Sequence, residues 1–178
     1  MIISASRRTD IPAFYAQWLM RRLREGFCTV ANPFNRLQVS RVSLRPDNVD
    51  ALVFWTRNPD PLIPHLPELD ARGFRYFFHF TLTGYSPLFE PHAPGLERSL
   101  DSFRRLSAHV GPGRVIWRYD PIVLSPSTPP GYHAERFDEL SAQLVPFVSH
   151  AVISFADRYR KAGQALRRYH AAHHRRRG

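Results

Sequence analysis

Five times along this chain a β-type apolar run gives way to a helical stretch, and each run ends in polar side chains. "IISAS" precedes "IPAFYAQWLMRRLREG", and "DALVFWTRNP" precedes "LIPHLPELDARG". "FRYFFHFTLTGY" precedes, across the loop "SPLFEPHAPG", the segment "LERSLDSFRRLSAHVG". "RVIWRYDPIVL" precedes "YHAERFDELSAQLVPFV", and "HAVISFAD" precedes a last helical stretch from about Arg158 to Tyr169. Strands that read as buried on both faces and alternate with helices predict parallel pairing through right-handed crossovers, hence an α/β fold. Periodicity leaves open whether the sheet is doubly wound or part of a β/α barrel.

Local signals fill in the elements. In the first helix Pro12 takes a starting position, Phe14, Trp18, Leu19 and Leu23 form a stripe, and Gly26 is the stop. "FCTVANPF" and "LQVSRVSL", joined by "NR", predict a hairpin inserted after that helix. Leu96, Leu100, Phe103 and Leu106 share one side of a later amphipathic helix. The 178 residues suit one domain, expected over 1–165, with a basic tail at 166–178.

Charge and cysteine content exclude several classes. The net charge of +10 is almost all arginine, with Lys161 the sole lysine, and Arg167, Arg168, Arg175, Arg176 and Arg177 crowd into the tail. Polyanion or nucleic-acid binding through that tail and through Arg21, Arg22 and Arg24 is one reading; a solvated helix face is the other, and the one preferred for the helix arginines. Cys28 is the only cysteine, so the chain can build neither an internal disulfide nor a cysteine-held cluster. The apolar start "MII" meets Arg7 and Arg8 before it reaches signal-peptide length, and a cytoplasmic location is the expectation.

In α/β folds the carboxyl ends of parallel strands converge on one side, where ligands bind. The polar clusters there are Arg7, Arg8 and Asp10; Arg57 and Asn58; Thr81, Thr83 and Tyr85; Arg118 and Asp120; and Asp157. These are the candidate ligand-binding residues. Asp10 either caps the first helix or lines the site, and Asp157 has the same two readings at the last helix. Arg7, Arg8 and Arg57 offer planar forks for a carboxylate or phosphate, although Arg57 and Asn58 also read as a plain turn. Arg118 and Asp120 alternate onto one side of their strand, as an ion pair that could leave Arg118 free to hold an anion on its other edge. His79 reads as a core histidine and Trp55 as a core tryptophan. No catalytic residue and no metal ligand can be picked: phosphate-loop, nucleophile-elbow and zinc-type spacings are all missing.

The segments "MIISASRRTDIPAFY", "ANPFN", "QVSRVSL", "VFWTRNP", "FTLTGY", "RVIWRYDPI" and "VISFAD", in this order, resemble an uncharacterised bacterial family known as domain of unknown function 1848, from Met1 to roughly Arg160. The resemblance implies a barrel similar to radical S-adenosylmethionine enzymes, and so a partial (β/α) TIM-like barrel with five core parallel strands and an inserted β-hairpin. For full-length homologues it also implies a [4Fe-4S] cluster on C-terminal cysteines and S-adenosylmethionine as cofactors; from this chain alone it implies none. The sequence stops before such cysteines, and with its arginine-rich end it reads as a truncated or frameshifted gene.

Three functions follow as expectations. The first is the ligand-binding part of a radical S-adenosylmethionine-type barrel, taking an anionic small molecule and inactive as it stands. The second is a metal-independent barrel acting on a phosphorylated small molecule, and the third a polyanion-binding module. Whether the chain is an enzyme stays open. Exposed edge strands around Ile2 and Val152 predict self-association.

Overall fold

The computed structural model describes residues 1–6, 9–32, 34–35, 37–87 and 89–156. The candidates Arg7, Arg8 and Asp157, the last helical stretch and the basic tail lie outside the described residues.

The first helix is two. Asp10 caps α1 (Ile11–Phe14), its Oδ1 accepting the Ala13 backbone N–H at 3.0 Å, and Tyr15 (φ −134°, ψ 25°) breaks the helix before α2 (Ala16–Glu25). The break resets the helical phase. Ala16, Leu19, Met20 and Leu23 turn inward, while Phe14 and Trp18, expected in the buried stripe, are 75% and 45% exposed. Gly26 ends α2 at φ 77°, a conformation that favours glycine, as the sequence predicts.

The hairpin is a separate two-stranded sheet, β2 (Phe27–Ala31) antiparallel to β3 (Val39–Ser43). Its strands stop short of the expected "NR" turn. Asn32 and Gln38 close the loop, backbone to backbone at 2.9 Å and side chain to side chain at 2.8 Å. The Asn32 and Asn35 side-chain oxygens take the backbone N–H groups of Phe34 and Leu37, an alternative to ladder pairing.

The main sheet holds β1 (Ile2–Ser4), β4 (Ala51–Thr56), β5 (Tyr76–Thr81), β6 (Val115–Ile122) and β7 (Ala151–Phe155), in that spatial order with every neighbour parallel. The helices that follow the middle strands are α3 (Leu66–Ala71), α4 (Leu96–Val110) and α5 (Pro130–Leu144). The fold is therefore mixed α/β around a five-stranded parallel sheet, as the strand-to-helix alternation predicts. Among the described residues β1 and β7 are its edges, and the sheet does not close into a barrel. Ile2 on β1 is 70% exposed.

Alternation splits the sheet into two unlike faces. Leu52, Phe54, Tyr76, Phe78, Phe80, Val115, Trp117 and Tyr119 point to the helices and form the core with Leu23, Leu69, Leu100, Phe103, Leu106 and Leu140. Phe103 of α4 packs on Phe80 at 4.9 Å between ring centroids, and Phe137 of α5 stacks on Trp117 at 4.7 Å. The predicted stripe Leu100, Phe103 and Leu106 is fully buried, and Leu96 is partly buried. The opposite face carries Val53, Trp55, Phe77, His79, Thr81, Ile116, Arg118, Asp120, Val152 and Ser154, and none of these joins the core behind the sheet.

Candidate functional site

Asp10 sits where β1 has ended and α1 begins, and both of its oxygens are engaged. Beyond the Ala13 cap, Oδ2 accepts the Thr56 hydroxyl at 3.0 Å and the Arg57 backbone N–H at 2.8 Å. One carboxylate thus joins the first helix to the end of β4. Burial pushes its pKa up, against the pull of those three hydrogen bonds and of the Arg57 charge. Asn58 continues the brace as a turn residue: its N–H donates to Thr56 Oγ1 at 3.0 Å and its side-chain oxygen accepts the Asp60 N–H at 3.2 Å.

Arg57 is a fork already filled. Its Nη1 and Nη2 meet the two oxygens of Glu90 at 2.8 and 2.7 Å, and the buried Thr83 hydroxyl donates to Glu90 Oε2 at 2.9 Å. Glu90 lies in the irregular stretch after β5 and is absent from the sequence-derived candidates. A half-buried arginine needs a counter-charge, but nothing in the local pattern says which carboxylate supplies it. Tyr85, earlier in the same stretch, donates its hydroxyl to Pro121 O and accepts the Val123 N–H, both at 2.9 Å. Burial pushes its pKa up to about 12. Thr83, Tyr85 and Glu90 together tie the segment after β5 to the ends of β4 and β6.

The exposed face of the sheet differs. Arg118 gives Nε (3.0 Å) and Nη2 to one oxygen of Asp120, and Ser154 Oγ donates to the other. The pair expected from alternation is therefore present, held in place by β7. Arg118 Nη1 makes no hydrogen bond among the described residues, although the side chain is only 14% exposed. The guanidinium lies 4.5 Å from the Trp55 ring centre, close enough for a cation–π interaction. Trp55 in turn stacks on His79, with centroids 4.1 Å apart and planes 13° from parallel.

Trp55 therefore lies half-buried on the face turned away from the helices, not in the core as its sequence suggests. His79 shares that face rather than the core, and its Nδ1 is shielded from solvent without a partner. Burial and then the charges of Arg118 and His150 lower its pKa, so neutral imidazole is favoured. Thr81 is the register partner of Arg118 on β5.

A cysteine-held iron–sulfur cluster does not fit these residues. Cys28, the single cysteine, lies on β2 of the hairpin, and burial pushes its thiol pKa up, away from the thiolate that ligates iron. Among the described residues no group of three His, Cys, Asp or Glu side chains is placed to hold a metal ion. Two of the helix arginines are paired: Arg22 with Glu25 at 2.6 Å, and Arg24 through two contacts with Glu68. Arg21 and Arg24 are exposed and Arg22 is half-buried. No helix among the described residues is long and apolar enough to cross a membrane.

Comparison with known proteins gives one family. The family model described as "Domain of unknown function (DUF1848)" matches residues 2–177, nearly the whole chain, and the chain belongs to that family. The match runs past Arg160 into the arginine-rich end. No curated protein and no solved structure matches significantly.

Proposed function

We propose that this member of the DUF1848 family binds an anionic small molecule on the exposed face of its sheet, toward the carboxyl ends of β5 and β6. The observation that carries this reading is the half-used guanidinium of Arg118. One edge is fixed by Asp120, which is itself held by Ser154, and among the described residues Nη1 keeps its donors. A guanidinium oriented by a carboxylate and stacked on an aromatic ring has little conformational freedom to lose when an anion arrives. The Thr81 hydroxyl, beside it in register, is the natural second donor.

The resemblance supports reading this face as the ligand-binding part of a radical S-adenosylmethionine-like fold, of which the described residues form an open five-stranded sheet. No reaction step is derived through an iron–sulfur cluster, because these residues supply no ligands for one. The other candidates serve the architecture: Asp10, Asn58, Thr83 and Tyr85 brace strand ends and loops, and Arg57 is neutralised by Glu90.

The test is titration of the whole chain with acetate and with inorganic phosphate, followed by NMR of arginine side chains. Saturable shifts at Arg118 are expected, and they should vanish in Arg118→Gln. The double variant Arg118→Gln/Asp120→Asn removes both charges, so loss of binding there is not the result of an orphaned aspartate. Equal anion response in wild type and double variant would overturn the reading.

A further inference from the structure

We infer that the ligand of this face is a monocarboxylate with an apolar, aromatic body; the inference rests on the Arg118 reading above. The face turned away from the helices carries four half-buried apolar side chains, Trp55, Phe77, Ile116 and Val152, and the buried Val53, all outside the core that the helices cover. Trp55 borders the one guanidinium of this face, and Val152 is the register partner of Arg118. The polar groups among them are few, and Asp120 is already bonded to both Arg118 and Ser154.

What remains to meet an anion is one guanidinium edge and the Thr81 hydroxyl. Two donor groups match the two oxygens of a carboxylate, whereas a phosphate ester presents more acceptor oxygens and a larger charge. Charge argues the same way. Arg118 and Asp120 compensate each other, so a dianion held here would sit beside Asp120, and the other basic groups among the described residues near it are two imidazoles, His79, whose neutral form burial favours, and His150.

The body of the ligand follows from the rings. Trp55 and His79 lie nearly parallel, Phe77 stands 5.6 Å from His79 between centroids, and the guanidinium borders Trp55. Flat π-surfaces beside a cation favour a planar ring carrying the acid. His79 Nδ1 is already out of contact with water, so an apolar body laid over it removes no further hydration from that atom. A sugar phosphate would cover the same apolar side chains with hydroxyl groups that find few partners.

The experiment compares benzoate, acetate, phenyl phosphate and inorganic phosphate on the full chain by calorimetry, with tryptophan fluorescence as a second readout. Benzoate should bind about tenfold or more tighter than acetate, because a ring's apolar area leaves water, and phenyl phosphate should bind no tighter than benzoate. In Trp55→Leu, and separately in Phe77→Ala, the benzoate-to-acetate ratio should fall toward one, with circular dichroism confirming the fold. Equal affinities for benzoate and acetate, or a preference for either phosphate, would overturn the aromatic-acid class while leaving the Arg118 site standing. Anion binding that survives Arg118→Gln/Asp120→Asn would remove the site itself, and the class with it.

Discussion

Replacing Asp10 separates a brace from a ligand contact. In Asp10→Ala the first helix loses its cap, which costs about 1 kcal/mol. The Thr56 hydroxyl and the Arg57 backbone N–H lose their shared acceptor at a partly buried position, at about 1 kcal/mol or more each. Together the loss is about 3 kcal/mol, read as a fall of about 1–2 M in the urea midpoint for a chain of this size. Asp10→Asn keeps one acceptor oxygen and should cost about half as much. The pH profile gives an independent check. Burial holds the Asp10 carboxyl above the ordinary aspartate range, so the folded chain binds that proton more tightly than the unfolded chain. The resulting stabilisation is complete below the ordinary aspartate value and is lost as pH rises through the folded one. Asp10→Asn should lack this decline. A cost below about 1 kcal/mol for Asp10→Ala, with the pH profile unchanged, would refute the argument that this carboxylate holds the helix to the strand.

Three further outcomes follow from the same geometry. Glu90→Gln weakens the two-point contact with Arg57 and should destabilise by about 1–2 kcal/mol in urea unfolding, while a double-mutant cycle with Arg57→Ala should show coupling of similar size. Phe103→Ala, at a fully buried contact with Phe80, should cost about 3–5 kcal/mol. His79 should titrate by NMR below the ordinary imidazole value, so its contribution to stability grows as pH rises through that window, and Arg118→Gln should move its pKa upward.

Much of the fold was legible because the strands are paired in chain order. Each of the five runs outside the hairpin became a strand of one parallel sheet, and the stripe of α4 is buried as its spacing predicts. Alternation also placed Arg118 with Asp120 and His79 with Thr81. It could not say which parity of β4 meets the helices, because Leu52 and Phe54 on one side and Val53 and Trp55 on the other are equally apolar; the side of Trp55 was therefore misread. The break at Tyr15 was hidden for a similar reason, since no proline or glycine marks it and the helical stripe can be drawn straight through. Glu90 is the clearest omission: it stands 33 residues from Arg57 in an irregular segment, and only the folded chain brings the two together.

Arg57 and Arg118 begin as equivalent candidates and end with opposite roles. Arg57 follows β4 and Arg118 lies within β6, and both are paired with a carboxylate. Glu90 takes Nη1 and Nη2 of Arg57 with its two oxygens, so an anion approaching that end competes with an internal carboxylate already in place. Asp120 reaches Arg118 from two residues along the same strand, so it can approach only one edge, through a single oxygen, and the second oxygen goes to Ser154. The spacing of the partner in the chain thus decides whether an arginine on or beside a strand is structural or available. A carboxylate at i+2 on a strand orients a guanidinium without consuming it, whereas one delivered by a loop can face it squarely. For that reason the exposed face around Arg118, rather than the more obvious "TRN" turn, is where ligand binding is to be sought.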